Sequence, residues 1–392
     1  MGASETLRRE APATAADAAA ALGAAAGDGL AVRFSGGGTK LGWGSPPARS
    51  DLELSTSALD RILEHNAGDL TAVLEPGVPL ARAQAEFAEQ GQMISLDPPL
   101  GADSAATIGG VVAAADSGPV RHRYAGARDL ILGVTVALSD GTVARAGGRV
   151  IKNVAGYDLA KLFTGSFGTL GLILEVTVRL QPRPERTATA VVETDDPDTI
   201  QAAAQALAHS HLDMLALDVR WEAGAGAVLA RFGGAVAEDG AEAAIRLMSE
   251  TTTAQTSLEA EDGELWGRQR AGQRAAPGAG VVVRVAGVQT QLAGVIRAAE
   301  RLGAAVAGRA ALGVSWLRLP EGGDERSIAA VADLRASLRP SPCVVLDAPA
   351  AVRAGLDPWH EEDAARLRLT RRVKERFDPL GACGPGVFIG GI

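Results

Sequence analysis

The sequence predicts an α+β protein built from two domains. Its 392 residues exceed the usual size of one domain, which is about 150 residues. Short runs in which apolar and polar residues alternate, typical of strands, are interspersed with segments of helical apolar spacing. Pro182 and Pro184 follow one alternating run and indicate a linker. We therefore expect one domain over residues 1–184 and a second over residues 185–392.

In the first domain, a helix is predicted over residues 12–26, where Thr14 and Asp17 have the spacing of a capping box. A strand over residues 30–34 follows and leads directly into a loop with three successive glycines. Further elements are predicted at residues 51–55 and 71–75 (strands), 79–90 (helix), 92–97 (extended), 130–146 (a hairpin of the Asp-Gly type) and 172–180 (strand).

In the second domain, the order strand, helix, strand occurs twice. Strands are predicted at residues 187–193, 214–221, 227–232, 281–285, 312–319 and 343–346, and helices at residues 197–209, 241–250, 289–302 and 324–338. Two β-α-β-β halves of this kind predict a ferredoxin-like arrangement, in which antiparallel strands carry helices on one face. A charged helix over residues 358–377 and a glycine-rich tail over residues 381–392 complete the chain.

The charge and the cysteine content exclude several classes of protein. The 38 basic and 47 acidic residues give a net charge of −9, which repels a nucleic-acid backbone at long range. Cys343 and Cys383 are too few to hold an iron-sulfur cluster or a four-cysteine zinc site unaided. No apolar run approaches the roughly 20 residues that span a bilayer, so we expect no membrane span and a cytoplasmic location.

Three glycine-rich segments could bind a ligand. The first, Ser35–Lys40, follows a strand and has three successive glycines. Because glycine has no Cβ atom, the N–H groups of this loop can converge on phosphate oxygens. Three successive glycines by themselves more often form an ordinary loop than a binding site. The second, residues 97–110, adds a glycine pair and the Thr107 hydroxyl, and a diphosphate needs donors on two sides. The third, residues 165–173, would let the backbone lie flat against a planar ligand.

Together these segments, with Arg128–Gly133 and residues 152–173, resemble the PCMH-type FAD-binding domain of the vanillyl-alcohol oxidase family. Within that family, they are most similar to the FAD-binding subunits of glycolate oxidases. The motifs cover about residues 30–182 in the family's order. In the C-terminal half only residues 371–386 are similar. The resemblance implies a two-lobed FAD-binding domain with the pyrophosphate buried between its lobes.

The resemblance also implies which residues bind FAD. One side of the pyrophosphate would be held by Gly36, Gly37, Gly38, Thr39 and Lys40, the other by Pro98, Thr107, Gly109 and Gly110, and the adenine by Gly171 and Ile173. Relatives that attach the flavin covalently carry His or Cys in these loops. Neither phosphate loop of this chain does, so we expect noncovalent FAD.

No catalytic or metal-binding residue is assigned. Related 2-hydroxy acid dehydrogenases place metal-binding histidines near a Gly-Asp-Gly-Asn stretch that this sequence lacks, and His209 and His211 are better explained as a solvated pair. Their tails often end Asn-Pro-Gly-Arg, whereas this chain has Gly384-Pro385-Gly386-Val387. Polar groups that could lie beside the flavin ring are Lys152, Asn153 and Tyr157, while His122 could face an acidic substrate or lie in a surface loop.

The resemblance implies a flavoprotein subunit of a glycolate oxidase-like complex that oxidises a small 2-hydroxy acid. A sister FAD subunit and an iron-sulfur subunit would then be its partners, and the complex could lie at a membrane. The isolated chain would show little oxidation by itself. Two alternatives stay open: an FAD-carrying electron-transfer or assembly subunit without a substrate site, and a stand-alone FAD-linked oxidase of unrelated substrate.

Overall fold

The computed structural model describes residues 7–148, 158–275, 280–361 and 363–392. The N-terminal strands are β1 (Arg8–Glu10), β2 (Val32–Ser35), β3 (Leu52–Ser55), β4 (Ile62–Asn66), β5 (Thr71–Leu74), β6 (Gln92–Met93), β7 (Ile131–Ala137), β8 (Val143–Gly147), β9 (Leu172–Arg179) and β10 (Gln181–Pro182). The helices here are α1 (Ala15–Gly27), α2 (Leu80–Ala88), α3 (Ile108–Ala114), α4 (Arg121–Tyr124), α5 (Ala127–Leu130) and α6 (Ala160–Phe163).

The N-terminal half consists of two lobes. In the first, the parallel sheet β1-β3-β2 packs against α1. The Thr14 hydroxyl accepts from the Asp17 N–H at 3.1 Å, so the predicted capping pair is present, although α1 begins at Ala15 rather than at residue 12. In the second, the antiparallel sheet β4-β5-β9-β7-β8 encloses a core with α2 and α3. The two lobes meet through Ala137, Leu172 and Leu174, which pack against α1.

The C-terminal strands are β11 (Thr187–Thr194), β12 (Ala216–Glu222), β13 (Ala225–Gly233), β14 (Gln255–Glu259), β15 (Val282–Ala286), β16 (Ala305–Arg309), β17 (Val314–Arg318) and β18 (Cys343–Val345). The helices are α7 (Pro197–Ala208), α8 (Ala237–Thr251), α9 (Gly263–Ala271), α10 (Leu292–Arg301), α11 (Asp324–Ser337), α12 (Ala350–Gly355) and α13 (Ala364–Phe377).

These strands form one antiparallel sheet in the order β14-β11-β13-β12-β16-β17-β15-β18. It contains two ferredoxin-like β-α-β-β-α-β units that join edge to edge where β12 pairs with β16. Helices α7, α8, α10 and α11 cover one face and share its core. On the other face, Val282 and Trp316 pack against Trp43 and Ala114 of the N-terminal half. A cavity lies between this face and the N-terminal half.

The structure confirms the α+β fold and corrects several element boundaries. The segment predicted as extended over residues 92–97 contributes only the two residues of β6. The last helix begins at Ala364 rather than near residue 358, because the Asp363 carboxylate accepts from the backbone N–H groups of Ala365 and Arg366 and caps it there. Strands β14 and β16 were not predicted, the first because it is polar and half exposed, the second because it is rich in alanine and glycine.

The segment after α13 returns to the N-terminal half. The Gly384 N–H donates to the Val32 carbonyl, and Cys383 forms a parallel bridge with Val32, which places the tail beside β2. The Lys374 ammonium fixes the turn before it by donating to the Cys383 carbonyl at 2.7 Å and to the Thr169 carbonyl at 2.8 Å. Within the described ranges no helix is both long and apolar enough to cross a bilayer.

Candidate functional site

A cleft of about 140 Å³ lies where β2 ends. Its walls come from the glycine loop after β2, the first turn of α3, Gly168 and the returning tail through Gly384 and Val387. Of the residues predicted to bind a cofactor, seven line this cleft: Gly36, Gly37, Gly38, Thr39, Lys40, Thr107 and Gly110. The structure therefore brings the first two glycine-rich segments to one place.

The glycine loop offers free backbone donors. Among the residues that the structure describes, no acceptor takes the N–H groups of Gly37, Gly38, Thr39 or Lys40. Gly38 has a φ of 71°, a left-handed conformation that glycine adopts without steric cost. Consecutive unpaired N–H groups in a turn form a concave site for anions. This observation fits the loop to the diphosphate of a dinucleotide.

The first two glycines also let this loop lie directly against the second loop. A Cβ atom on Gly36 would lie 2.2 Å from the Thr107 hydroxyl oxygen, and one on Gly37 would lie 1.6 Å from the Ala105 carbonyl oxygen. Both distances are far shorter than any real contact. The close approach of the two loops therefore requires glycine at both positions.

Four predicted contacts lie outside the cleft. The Gly109 N–H donates to the Pro76 carbonyl at 2.9 Å, so the chain itself uses this donor. Pro98 is buried, and Ile173 belongs to the core of the second lobe. Gly171 has a φ of 146°, and a Cβ there would meet the Ala137 carbonyl oxygen at 2.5 Å. Their contacts with FAD stay predictions.

A nearly buried ion pair lies at one end of the cleft. The Lys40 ammonium lies 3.2 Å from the Asp116 carboxylate, and their side chains are only 8% and 5% exposed. Lys40 also lies 5.7 Å from the centre of the Trp43 ring. The loop thus brings one cation to the phosphate cleft, and a carboxylate from the segment after α3 balances its charge.

The C-terminal domain holds the glycine loop from the other side. Arg274 donates to the Thr39 carbonyl at 2.8 Å and to the two oxygens of Asp347 at 2.7 and 3.0 Å. The Trp43 indole N–H also donates to Asp347, at 2.7 Å. The Arg274 guanidinium lies 5.2 Å from the Trp43 ring, within cation-π range. Sequence patterns gave no signal for this group, because its members are far apart in the chain.

A larger cavity of about 680 Å³ lies between the two domains and shares Trp43, Ala114 and Phe167 with the cleft. Phe167, Trp359 and Phe388 form an aromatic cluster in its wall, with ring centres 4.9 to 5.6 Å apart. The Trp359 indole N–H donates to the Val387 carbonyl at 3.0 Å, which fixes the tail against this cluster. Only Phe167 and Phe388 are stacked, and Trp359 meets both edge-on, so the cluster provides an apolar wall next to the anion cleft.

Arg284 on β15 is an uncompensated cation in the wall of this cavity. It makes no hydrogen bond or ion pair with any residue in the described ranges. Burial lowers its pKa, the charge of Arg121 lowers it further, and Asp116 opposes the shift. A desolvated guanidinium without a partner favours an incoming anion, which it can bind through two parallel hydrogen bonds.

A buried charge cluster joins the second loop to the C-terminal sheet. Arg309 donates to Asp218 at 2.8 Å, and these residues are 1% and 0% exposed. Asp97, at the start of the loop, lies 3.8 Å from Arg270 and accepts from the Val120 N–H. Burial raises the pKa of Asp97 and of Asp218 to about 6, and the charge of Arg309 opposes that rise.

Other candidates lie elsewhere. Lys152, Asn153 and Tyr157 fall outside the described residues. His122 lies in α4 and lines neither the cleft nor the cavity, and its Nδ1 is buried without a partner among the described residues. His209 is bonded to the Gln205 carbonyl at the end of α7. In the described part of the chain, no group of three His, Cys, Asp or Glu side chains has the geometry of a metal site.

The comparison with known proteins assigns the cofactor. Residues 9–147 match the family described as "FAD binding domain". FAD is therefore the cofactor, and the residues that line the cleft fit its diphosphate, since the loop offers free N–H groups and the ammonium of Lys40. The chain is a flavoprotein with a PCMH-type FAD-binding domain.

Similar curated proteins match only part of the chain. An uncharacterised FAD-linked oxidoreductase of Mycobacterium tuberculosis is 34% identical over 49% of this chain and 41% of its own length. Glycolate oxidase subunit GlcD of Bacillus subtilis is 36% identical over 43% of this chain and 35% of its own. Glycolate oxidase subunit GlcE of Escherichia coli is 38% identical over 31% of this chain and 35% of its own. The chain thus matches only about two fifths or less of the length of these relatives.

Solved structures share the whole fold. An alkyldihydroxyacetonephosphate synthase superimposes with a TM-score of 0.73 over 96% of this chain and 76% of its own, at 14% identity. A 4-ethylphenol oxidase from Gulosibacter chungangensis gives 0.71 over 97% and 88%, at 16% identity. At such low identity these matches establish the fold alone, including the C-terminal domain that the family match does not reach.

Proposed function

We propose that the chain is an FAD-dependent oxidoreductase that oxidises a small 2-hydroxy acid, as a subunit of a glycolate oxidase-like complex. The observation that carries this proposal is Arg284, a cation in the cavity between the domains that no described residue pairs with. The similarity to two glycolate oxidase subunits supports the same class of substrate. FAD, when bound, would accept the two electrons that leave the substrate.

The glycine loop would bind the diphosphate through the free N–H groups of Gly37, Gly38, Thr39 and Lys40. Such donors need no rearrangement, because Arg274 and the second loop already fix the loop from both sides. The ammonium of Lys40 adds charge attraction next to these donors. Binding and orientation of the cofactor would thus come mainly from the backbone of one short segment.

Arg284 would bind the substrate carboxylate with its planar guanidinium. A bidentate contact fixes both the position and the rotation of a small acid, so that its hydroxyl-bearing carbon takes one orientation in the cavity. The cluster of Phe167, Trp359 and Phe388 would exclude water from that space. Exclusion of water strengthens the attraction between the guanidinium and the carboxylate.

The role of Arg284 can be tested by binding, independently of turnover. Oxalate, a small dianion that cannot be oxidised like a 2-hydroxy acid, should perturb the visible flavin spectrum of the holoprotein. In Arg284→Met its dissociation constant should rise by about 10- to 100-fold, the cost of one charged hydrogen-bonded contact. Arg318→Met is the matched control, because Arg318 lies on the neighbouring β17 but is paired with Glu222. Equal oxalate binding by both variants would remove the support for a carboxylate site.

The substrate class and the need for partners can be tested together. Purified chain, alone and co-expressed with a sister flavoprotein and an iron-sulfur subunit, is mixed with glycolate, both lactate enantiomers and 2-hydroxyglutarate. We expect rapid oxidation only with the partner subunits. If Arg284→Met leaves oxidation by the complex intact, the substrate site belongs to a sister subunit and this chain carries electrons or supports assembly. If no 2-hydroxy acid is oxidised under any condition, the stand-alone oxidase of unrelated substrate becomes the better hypothesis.

A further inference from the structure

Helix α13 is strongly basic in an acidic protein. Its 14 residues contain six basic side chains and one acidic side chain, whereas the whole chain carries a net charge of −9. None of its residues is buried. The half-buried side of the helix packs on the N-terminal half, where Phe377 contacts Phe163 with ring centres 5.7 Å apart. The opposite side faces solvent.

Half of the basic side chains are used within the fold. Arg366 lies 2.8 Å from Glu361, and Lys374 lies 2.6 Å from Asp378. Arg371 donates to the Gly390 carbonyl. These three contacts hold the helix and the tail in place. They explain why three of the six basic side chains are present, but not the other three.

The other three, Arg368, Arg372 and Arg376, form what we call the arginine ridge. All are exposed, and within the described ranges none makes a hydrogen bond or an ion pair. A spacing of four residues places them on one side of the helix, about 6 Å apart along its axis. Leu369, which is 62% exposed, lies beside the ridge.

Repulsion between neighbouring charges of the arginine ridge opposes helix formation. Like charges four residues apart destabilise a helix by about 0.2–0.5 kcal/mol per pair, and the helix dipole favours cations only in the last turn, where Arg376 lies. Exposed like charges that repel one another and lack partners are typical of a surface that binds a molecule of opposite charge.

The helix that carries the ridge reaches the proposed flavin site through its packed side, opposite the ridge. Arg366, two residues before the ridge begins, lines the cavity between the domains, and the tail that follows α13 lines the cleft. A protein bound on the ridge would therefore be separated from the wall of the cavity by the width of one helix, about 10 Å. The two cysteines of the chain cannot hold an iron-sulfur cluster unaided, so a carrier of electrons from the flavin has to be another molecule.

We propose that the arginine ridge is the docking site for an acidic electron-carrier protein that reoxidises the flavin. This inference rests on the redox function proposed above but not on the identity of the substrate. In each cycle the reduced flavin loses two electrons and releases its protons to solvent, and two one-electron carriers, or one two-electron carrier, accept the electrons. Complementary charge would orient the carrier and speed its encounter with the flavoprotein.

The test compares binding and electron transfer in three forms of the holoprotein. These are the wild type, a variant in which all three ridge arginines become glutamate, and a control variant with the same charge change at exposed positions on the C-terminal helices: Arg246→Glu, Arg268→Glu and Arg326→Glu. The probes are the soluble haem domain of cytochrome b5, which is acidic, and cytochrome c, which is basic. Equal flavin content and equal melting temperature establish that both variants are folded.

We expect the ridge variant to bind oxidised cytochrome b5 at least about tenfold more weakly than the control variant at low ionic strength, and the difference to shrink near 0.5 M salt. Reoxidation of the photoreduced flavin by cytochrome b5 should slow to the same extent, while reoxidation by a small neutral quinone stays unchanged. Photoreduction needs no substrate, so the absence of 2-hydroxy acid oxidation would not affect this result.

Three outcomes would overturn the proposal. The first is equal binding of cytochrome b5 by the ridge and control variants. The second is tighter binding of cytochrome c than of cytochrome b5. The third is ridge-dependent binding to phosphatidylserine vesicles or to duplex DNA without any effect on cytochrome b5, which would assign the ridge to a membrane or to nucleic acid instead.

Discussion

Arg274 donates a 2.8 Å hydrogen bond to the backbone carbonyl of Thr39, 235 residues earlier in the chain. The C-terminal domain therefore holds the loop whose N–H groups face the anion cleft. The Thr39 carbonyl and the Lys40 N–H belong to the same planar peptide group. A hydrogen bond to the carbonyl therefore also fixes the direction of that N–H. The C-terminal domain thus helps to form the cofactor site as well as covering it.

Replacement of Arg274 should weaken cofactor binding. In Arg274→Met the Thr39 carbonyl and Asp347 lose their charged donor, so the loop becomes less ordered before FAD binds. A charged hydrogen bond contributes about 1.5–3 kcal/mol, which corresponds to a roughly 10- to 100-fold rise in the dissociation constant of FAD. Isothermal titration of the apoprotein with FAD measures this dissociation constant, and Arg326→Met serves as an exposed control. An unchanged FAD affinity would contradict the role of Arg274.

The flavin should be released by acid. No His or Cys is found among the described residues that line the cleft. The nearest thiol in the chain, Cys383, precedes Gly384 but is fully buried, and burial raises its pKa, so it stays a protonated and unreactive thiol. Precipitation of the yellow protein with trichloroacetic acid should leave all the colour in the supernatant. Colour in the washed pellet would show a covalent bond.

Gly37→Val should abolish FAD binding without unfolding the C-terminal domain. The new side chain would collide with the Ala105 carbonyl, so the two phosphate loops would have to separate. Gly27→Val is the matched control, because nothing lies within 4 Å of a Cβ atom at Gly27. Flavin content of the purified proteins, together with near-ultraviolet circular dichroism from the tryptophans, reports both properties. Normal flavin content in Gly37→Val would refute the close packing of the loops.

Lys40→Met should lower the stability of the apoprotein. The substitution leaves the Asp116 carboxylate nearly buried without its partner, which costs about 3–5 kcal/mol for a pair of this kind. The double variant Lys40→Met, Asp116→Asn removes both charges and should recover most of that loss. Urea unfolding of the wild type and both variants gives the three free energies. Equal losses in the single and double variants would mean that the charge of Asp116 is not the cause.

Asp97→Asn should change how stability depends on pH. Burial raises the folded-state pKa of Asp97 from 3.8 to about 6, so the ionised form is disfavoured in the folded protein. The destabilising effect is fully present above pH 6 and disappears as pH falls from 6 towards 3.8, because the folded state then takes up the proton first. Relative to the wild type, Asp97→Asn should be more stable at pH 8 than at pH 4 by up to about 3 kcal/mol. A difference that is constant with pH would contradict the shift.

The sequence was sufficient to predict the features that depend on local chemistry. The capping of α1 by Thr14, the Asp-Gly hairpin between β7 and β8 and the glycine loop after β2 each arise within a few residues, and each is found in the structure. Seven of the eleven predicted cofactor contacts line one cleft, but their two loops are about 70 residues apart, and the family resemblance rather than local chemistry grouped them.

The features that could not be predicted depend on residues far apart in the chain. Asp347 meets Trp43 across 304 residues, and neither residue lies in a motif. Arg284 is one of many arginines in the sequence, and only the sheet and the cavity show that it is unpaired. Gly109 was predicted to contact the pyrophosphate from the resemblance, but its N–H donates to the carbonyl of Pro76 in a preceding turn.

The return of residues 383–388 to β2 has a consequence for biosynthesis. A ribosome makes the glycine loop early, but it has to add almost 350 further residues before Gly384 and Val387 can form their wall of the cleft. At typical rates of translation this takes roughly 20 to 70 s. During that interval the nascent chain exposes an incomplete pocket, so we expect flavin to bind only after residues 383–388 have been made, and a growing chain without FAD to be the form that chaperones and proteases meet.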